Sequence, residues 1–242
     1  FDDFDSAKNY HRILFKPGRA VQARELTQAQ TILQNQVTNF ADNIFKQNSP
    51  VTGGQVTTNF NCSYIKLQAT YLNKTIDVTQ FNGLLVKDST GSVSARVIAV
   101  ATPVGGDPPT LVVTYLSGTQ FTDNSVIYNT ADNLPLCQAI SSSSTGTSSV
   151  ASIAQGVFYV LGTFVQVNPS TVILNKYSSA PNNRVGLTIA EDIVTYTSDA
   201  SLLDPAVGAS NYQAPGADRY QITLTLDTRP LTLGDDSDFI EL

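Results

Sequence analysis

Residues 19–46, RAVQARELTQAQTILQNQVTNFADNIFK, decide how the chain is read. The stretch holds neither Gly nor Pro and is rich in Ala, Gln, Leu and Glu, which form helices readily. Its apolar residues recur at helical spacing. Leu26, Leu33 and Phe40 are seven apart, and so are Val37 and Ile44. With Ala23 they make alternating steps of three and four, the pattern of a coiled-coil seam. Gln30 sits on that seam where an apolar residue is expected. Pro17-Gly18 marks a turn before the helix, and Asn48-Ser49-Pro50 stops it. At 1.5 Å per residue such a helix is on the order of 40 Å long.

The apolar stripe needs a cover. The chain's own sheets can supply one, because amphipathic helices of globular domains share this spacing. A second polypeptide can supply it too, with Gln30 setting register or strand number as polar seam residues do. On that second reading the association residues are Ala23, Leu26, Gln30, Leu33, Val37, Phe40 and Ile44.

After Pro50 the pattern changes to period two in short runs, the mark of strands. Asn61–Tyr71, Thr75–Thr79, Gly83–Lys87, Ala95–Ala101, Leu111–Leu116 and Val126–Asn129 alternate or carry β-formers, and turn chemistry separates them. The run 141–149, SSSSTGTSS, is low in complexity and reads as a linker or an exposed hairpin tip. Val157–Val167 follows with Gly162 as a bulge or tight turn, then Thr171–Asn175, Val185–Ile189, Ile193–Thr197 and Arg219–Leu226. Ser198–Asp218 is a long irregular stretch of the kind that is often functional or packed on a neighbour.

The expected fold is therefore mainly β with one long N-terminal α-helix and two small antiparallel barrel- or sandwich-like modules in series. The expected boundaries are 1–50 for the arm and helix, 51–140 for the first β module, 141–150 for the linker and 151–242 for the second module. The chain starts at Phe1 rather than Met, and an apolar-polar alternation beginning at Phe239 is cut off at Leu242. Both features predict a trimmed start or a longer chain.

Composition narrows the chemistry. The 242 residues are 41% hydrophobic and 14% charged, with Ser, Thr, Asn and Gln filling the gap. A net charge of -6 argues against a nucleic-acid binder, which needs a basic surface. No apolar run approaches the ~18 residues of a membrane span. His11 is the only histidine and reads as a surface or helix-approach residue. Cys62 and Cys137 lie far apart, form no metal-ligand spacing and read as small apolar strand residues; whether they pair is open. No metal or cofactor is expected, and no enzymatic activity.

The motifs that resemble chemistry are weak. Glu191-Asp192, Asp199 and Asp204 share one segment, but nothing fixes the carboxyl separation a glycosidase needs. Asp235-Asp236-Ser237-Asp238 has the composition of a calcium loop without its frame and reads as an acidic turn. Asp218-Arg219 are neighbours in an extended segment and point apart. Val104-Gly105-Gly106 lacks the Lys and the helix of a phosphate loop.

Three stretches go beyond composition. Residues 10–46 run from YHRIL to IFK around the core FKPGRAVQARELTQAQTILQNQ at 15–36. Residues 156–167 read GVFYVLGTFVQV. The third runs from NRVGL at 183–187 through Asp199, Leu202, Asp204 and Asn211 to APGADR at 214–219. In this order they resemble a family of tailed-bacteriophage virion structural proteins, well represented in cyanophages and other contractile-tailed phages. The likeness covers most of the chain and is least distinctive over 51–140. It implies a structural part of the virion tail, in the baseplate or at tail-fibre attachment, assembled in the host cytoplasm. The implied partners are other tail and baseplate proteins and further copies of the chain, as a homotrimer, since tail appendages are commonly trimeric. The family carries no established catalytic residues to transfer. Two rivals stand beside this expectation. Ser198–Asp218 would recognise a host surface polysaccharide in a receptor-binding module, or the carboxylates would serve a depolymerase. The absence of Trp and of β-helix periods weighs against the second.

Overall fold

A computed structural model describes every residue except Phe1, Leu233 and Asp235. Helix α1 spans Ala23–Asp42, inside the 19–46 expected from composition. Gln22 is extended and donates its backbone N–H to Glu25 Oε2 at 2.9 Å, which closes the first turn. The helix ends where Phe45 N–H donates to Ala41 O at 2.7 Å.

Sixteen strands follow among the described residues. The first eight are β1 (Ser49–Gly53), β2 (Val56–Lys66), β3 (Thr70–Tyr71), β4 (Lys74–Thr75), β5 (Leu85–Lys87), β6 (Ser94–Ala101), β7 (Thr110–Ser117) and β8 (Val126–Asn129). Next come β9 (Pro135–Gln138), β10 (Thr145–Ile153), β11 (Gly156–Val160), β12 (Thr163–Val167) and β13 (Ser170–Asn175). The last are β14 (Asn183–Val194), β15 (Arg219–Pro230) and β16 (Phe239–Glu241). The protein is thus mainly β, with one α-helix near its N-terminus and several antiparallel sheets in a sandwich-like arrangement.

Two compact units divide the chain. One comprises Phe1–Gly54, Gln155–Val167 and Glu191–Thr223; the other comprises Gln55–Ala154, Asn168–Ala190 and Leu224–Leu242. Neither is contiguous in sequence, so the boundaries expected near 51, 141 and 151 do not delimit them.

The second unit holds most of the core. Its main sheet has the order β13-β10-β2-β7-β6-β5-β8-β9. An isolated antiparallel bridge between Leu67 and Ala139 joins the end of β2 to the end of β9, so six of these strands curl into a ring. Strand alternation sends residues to both faces. On β7, Leu111 and Val113 enter one apolar cluster with Ile65, Val86, Val97, Phe121 and Ile127. Val112 enters another with Cys62, Ala99 and Val150.

The Ser/Thr-rich run is not a linker. It forms most of β10, whose partners are β2 and β13. Ser144, Ser148 and Ser149 are buried. Burial of a hydroxyl is tolerated when it is hydrogen-bonded. Ser148 Oγ donates to Asn175 O at 3.0 Å, Ser149 Oγ to Ser178 O at 2.9 Å and Ser144 Oγ to Asp123 Oδ1 at 2.6 Å. Gly146 lies under Tyr64, and a Cβ there would meet the ring at 2.6 Å.

In the first unit a three-stranded sheet, β1-β11-β12, lies with α1. The turn between β11 and β12 is Leu161-Gly162, both with positive φ (50° and 74°), as a two-residue hairpin of this hand requires. The expected strand Val157–Val167 is therefore a hairpin folded at Gly162.

Candidate functional site

The helix is held on its two flanks and bare between them. On one flank lies the N-terminal arm. Thr31 Oγ1 donates to Asp2 Oδ2, Gln28 Nε2 donates to Asp3 Oδ1 at 3.4 Å, and Arg24 pairs with Asp3 at 3.4 Å. Phe4, Tyr10 and His11 line a small cavity with Ile32, Asn35 and Asn39. His11 thus lies where the arm approaches the helix.

On the other flank is the β11–β12 hairpin. Tyr159 is fully buried, and its hydroxyl donates to Asp42 Oδ1 at 2.8 Å and meets Thr38 O at 3.3 Å. Burial and the neighbouring carboxylate push the Tyr159 phenol above its ordinary value, so it stays a donor. Gly162 O accepts from Thr38 Oγ1 at 2.9 Å and from Gln34 Nε2 at 3.3 Å. A Cβ on Gly162 would meet Thr38 Cγ2 at 2.9 Å, so this close approach needs glycine. Phe45 packs edge-on against Phe164 (5.6 Å between centroids) and tilted against Tyr159 (6.2 Å). Beside the hairpin, Gln30, Gln34, Phe164 and Tyr220 border an open cleft of about 760 Å³.

Two helix residues are buried by these flanks, Ile32 and Ala41. The seam residues are all exposed. Leu26 is 55% exposed, Leu33 68%, Val37 46%, Phe40 68% and Ile44 57%. Ala23 and Gln30 are exposed as well. Ala23, Leu26, Gln30, Leu33, Val37 and Phe40 share one bare stripe of α1, whereas Ile44, expected on the same seam, lies past the helix end at Asp42 and is exposed there. The only charged residues of α1 lie off this face and have other tasks: Arg24 pairs with Asp3, Glu25 caps, and Asp42 accepts from Tyr159.

A family model described as a domain of unknown function, DUF4815, matches residues 1–108 and 125–237. The chain belongs to that family. No curated protein and no solved structure matches it.

The other candidates do different things. Asp199 accepts from Ser201 N–H at 2.9 Å and caps a short turn, which lowers its pKa. Glu191 accepts from the Tyr220 hydroxyl, and Asp204 from Ala206 N–H at 2.8 Å and from Asn211. Asp192 accepts from Ile193 N–H at 2.7 Å. Each of these carboxylates is thus engaged by its own turn or neighbouring strand. Among the described residues no group of three or more His, Cys, Asp or Glu is placed to hold a metal ion. Val104 and Asp107 form an isolated bridge that makes Gly105-Gly106 a hairpin tip. Arg219 donates to the backbone carbonyls of Ala217 at 2.6 Å and of Asp218 at 3.3 Å. Cys62 and Cys137 are buried and unpaired, and burial pushes the Cys137 thiol up to about 12. Asp235 of the acidic turn lies outside the described residues. Its neighbours Asp236 and Asp238 accept from Arg229, both at 2.8 Å.

Sequence reading placed the seam on one face but missed what grips the helix. Tyr159 and Asp42 are 117 residues apart, and no local signal couples them. Gly162 was the one visible hint.

Proposed function

We propose that the chain is a non-enzymatic structural component of a phage tail, in the baseplate or at tail-fibre attachment, and that it works by subunit assembly through the bare face of α1. The observation that carries this reading is the exposure of Leu26, Leu33, Val37, Phe40 and Ile44 together. Five such side chains leave on the order of 600 Å² of apolar surface, at the upper end for a lone monomer and near the ~800 Å² that each partner buries in a standard interface. At roughly 25 cal/mol per Å², covering it is worth about 15 kcal/mol per chain before the cost of association.

The location in a tail rests on the three-stretch resemblance, in which the first stretch contains the helix and the second the hairpin that grips it. The neutral polar surface and the turn-capping roles of the candidate carboxylates fit a building part better than a catalyst.

Immunogold labelling of purified phage particles with antibodies against this chain tests the location. Label confined to the tail or baseplate is expected. Chain present in infected cells but absent from purified particles would overturn the proposal.

A further inference from the structure

The spacing of the seam fixes its layers. Along α1, steps of three and four put Ala23, Gln30 and Val37 in one set, the a positions, and Leu26, Leu33 and Phe40 in the other, the d positions; Ile44 falls beyond the helix. The flanking positions are Thr27, Gln34 and Ala41 on one side and Gln22, Ala29, Gln36 and Asn43 on the other. None carries a charge, so no ion pair and no like-charge repulsion selects an orientation. The one polar side chain in the seam does.

In an antiparallel pair, a positions of one helix face d positions of the other. Gln30 would then be pressed on Leu26, Leu33 or Phe40, with its carboxamide desolvated and unpartnered. In a parallel pair in register, Gln30 meets Gln30, and each amide offers the other a donor and an acceptor. Gln34, the neighbouring amide on the helix, already donates to Gly162 O.

Two features bear on strand number. β-Branched Val37 at a, with Leu26 and Leu33 at d, favours two strands. Larger bundles also bury the flanking positions. Here Ala41 is already fully buried, and Gln34 is bound by the chain's own hairpin, so the stripe left bare is a narrow one.

We infer that the bare face of α1 takes a second copy of this chain, packed parallel and in register as a two-stranded seam with Gln30 against Gln30. The bare area approaches what a stable interface of two such copies needs. This inference rests on the reading of the face as an assembly surface, and it departs from the three-fold arrangement that the phage resemblance implies.

The test uses the full chain with Gln30→Cys under a glutathione redox couple, with the unsubstituted chain as control for the buried Cys62 and Cys137. A second sample mixes Gln30→Cys with Leu33→Cys chains. Native mass spectrometry of the unsubstituted chain gives the stoichiometry. The expected results are a species of twice 25.9 kDa, a covalent Gln30→Cys dimer in most of the protein, and Gln30→Leu raising the fraction associated at low concentration. Association with cross-linking only in the mixed sample would leave the assembly reading standing and overturn the parallel pairing. A trimeric mass would overturn the two-stranded seam. A monomer at all concentrations would overturn both.

Discussion

Gly162 shows how one residue joins sequence to surface. Its positive φ makes the hairpin turn, and its missing side chain lets Thr38 and Gln34 reach its carbonyl. Gly162→Ala is expected to lower the stability of the folded chain by about 1–3 kcal/mol, because it adds backbone strain and a clash with Thr38. Tyr159→Phe keeps the ring contacts but removes the donor to Asp42, a loss of about 1 kcal/mol. Urea unfolding monitored by circular dichroism checks both. Equal stability of all three proteins would show that the hairpin does not grip the helix. At this scale the sequence was half legible. A glycine inside an apolar strand run signals a turn by its own chemistry. The Tyr159–Asp42 contact depends on where distant segments meet, and periodicity contains no such information.

At the scale of elements, helix α1 was the most legible, because six consecutive spacings of three or four, from Ala23 to Ile44, are not produced by a strand; its bounds were overdrawn because Arg19–Gln22 and Asn43–Lys46 have helical composition but lie where the chain must turn. Strand β10 was the least legible. Ser148 and Ser149 read as solvent-facing, yet they are buried because carbonyls of the segment 175–178 accept their hydroxyls. Strands 185–189 and 193–197 were read apart, whereas β14 runs through Asn183–Val194. The C-terminal strand carries a pH prediction. Hydrogen bonds from Arg229, then from Arg184, hold the Asp236 carboxyl below the usual carboxylate range, and Arg229 does the same for Asp238. Their folded values lie below their unfolded ones. Their contribution to stability is therefore complete above pH ~4, the ordinary carboxylate value, and is lost as pH falls through the depressed folded values. Amide hydrogen exchange at Phe239–Glu241, which pairs with Gly186–Thr188, is expected to quicken below pH ~4 ahead of exchange in β7. Simultaneous loss of protection in both strands would show that the arginine network does not hold β16 in place.

At the scale of the whole molecule, the apolar residues are unevenly spent. The second unit buries most of the core, whereas the first, among the described apolar residues, buries only Ile32, Ala41, Phe158, Tyr159, Val160, Val165 and Val167 and exposes Leu14, Phe15, Leu26, Leu33, Phe40 and others. That imbalance is the physical basis for assembly, since an apolar surface of this size is normally covered. The mainly β class with an N-terminal helix was legible from alternation and composition. The division of the chain was not, because segments 155–167 and 191–223 join the first unit through pairing and packing that are non-local. The most direct test of the central claim is sedimentation velocity of the full chain beside its Leu33→Asp variant. Leu33 is exposed in the single chain, so the charge is expected to change its fold stability by no more than ~0.5 kcal/mol. The unsubstituted chain is expected to sediment as an assembly of more than one 25.9 kDa subunit at micromolar concentration, and the variant as a monomer with unchanged circular dichroism. Two identical monomeric profiles, or two identical assemblies, would contradict the claim that this face of α1 is built to be covered by another polypeptide.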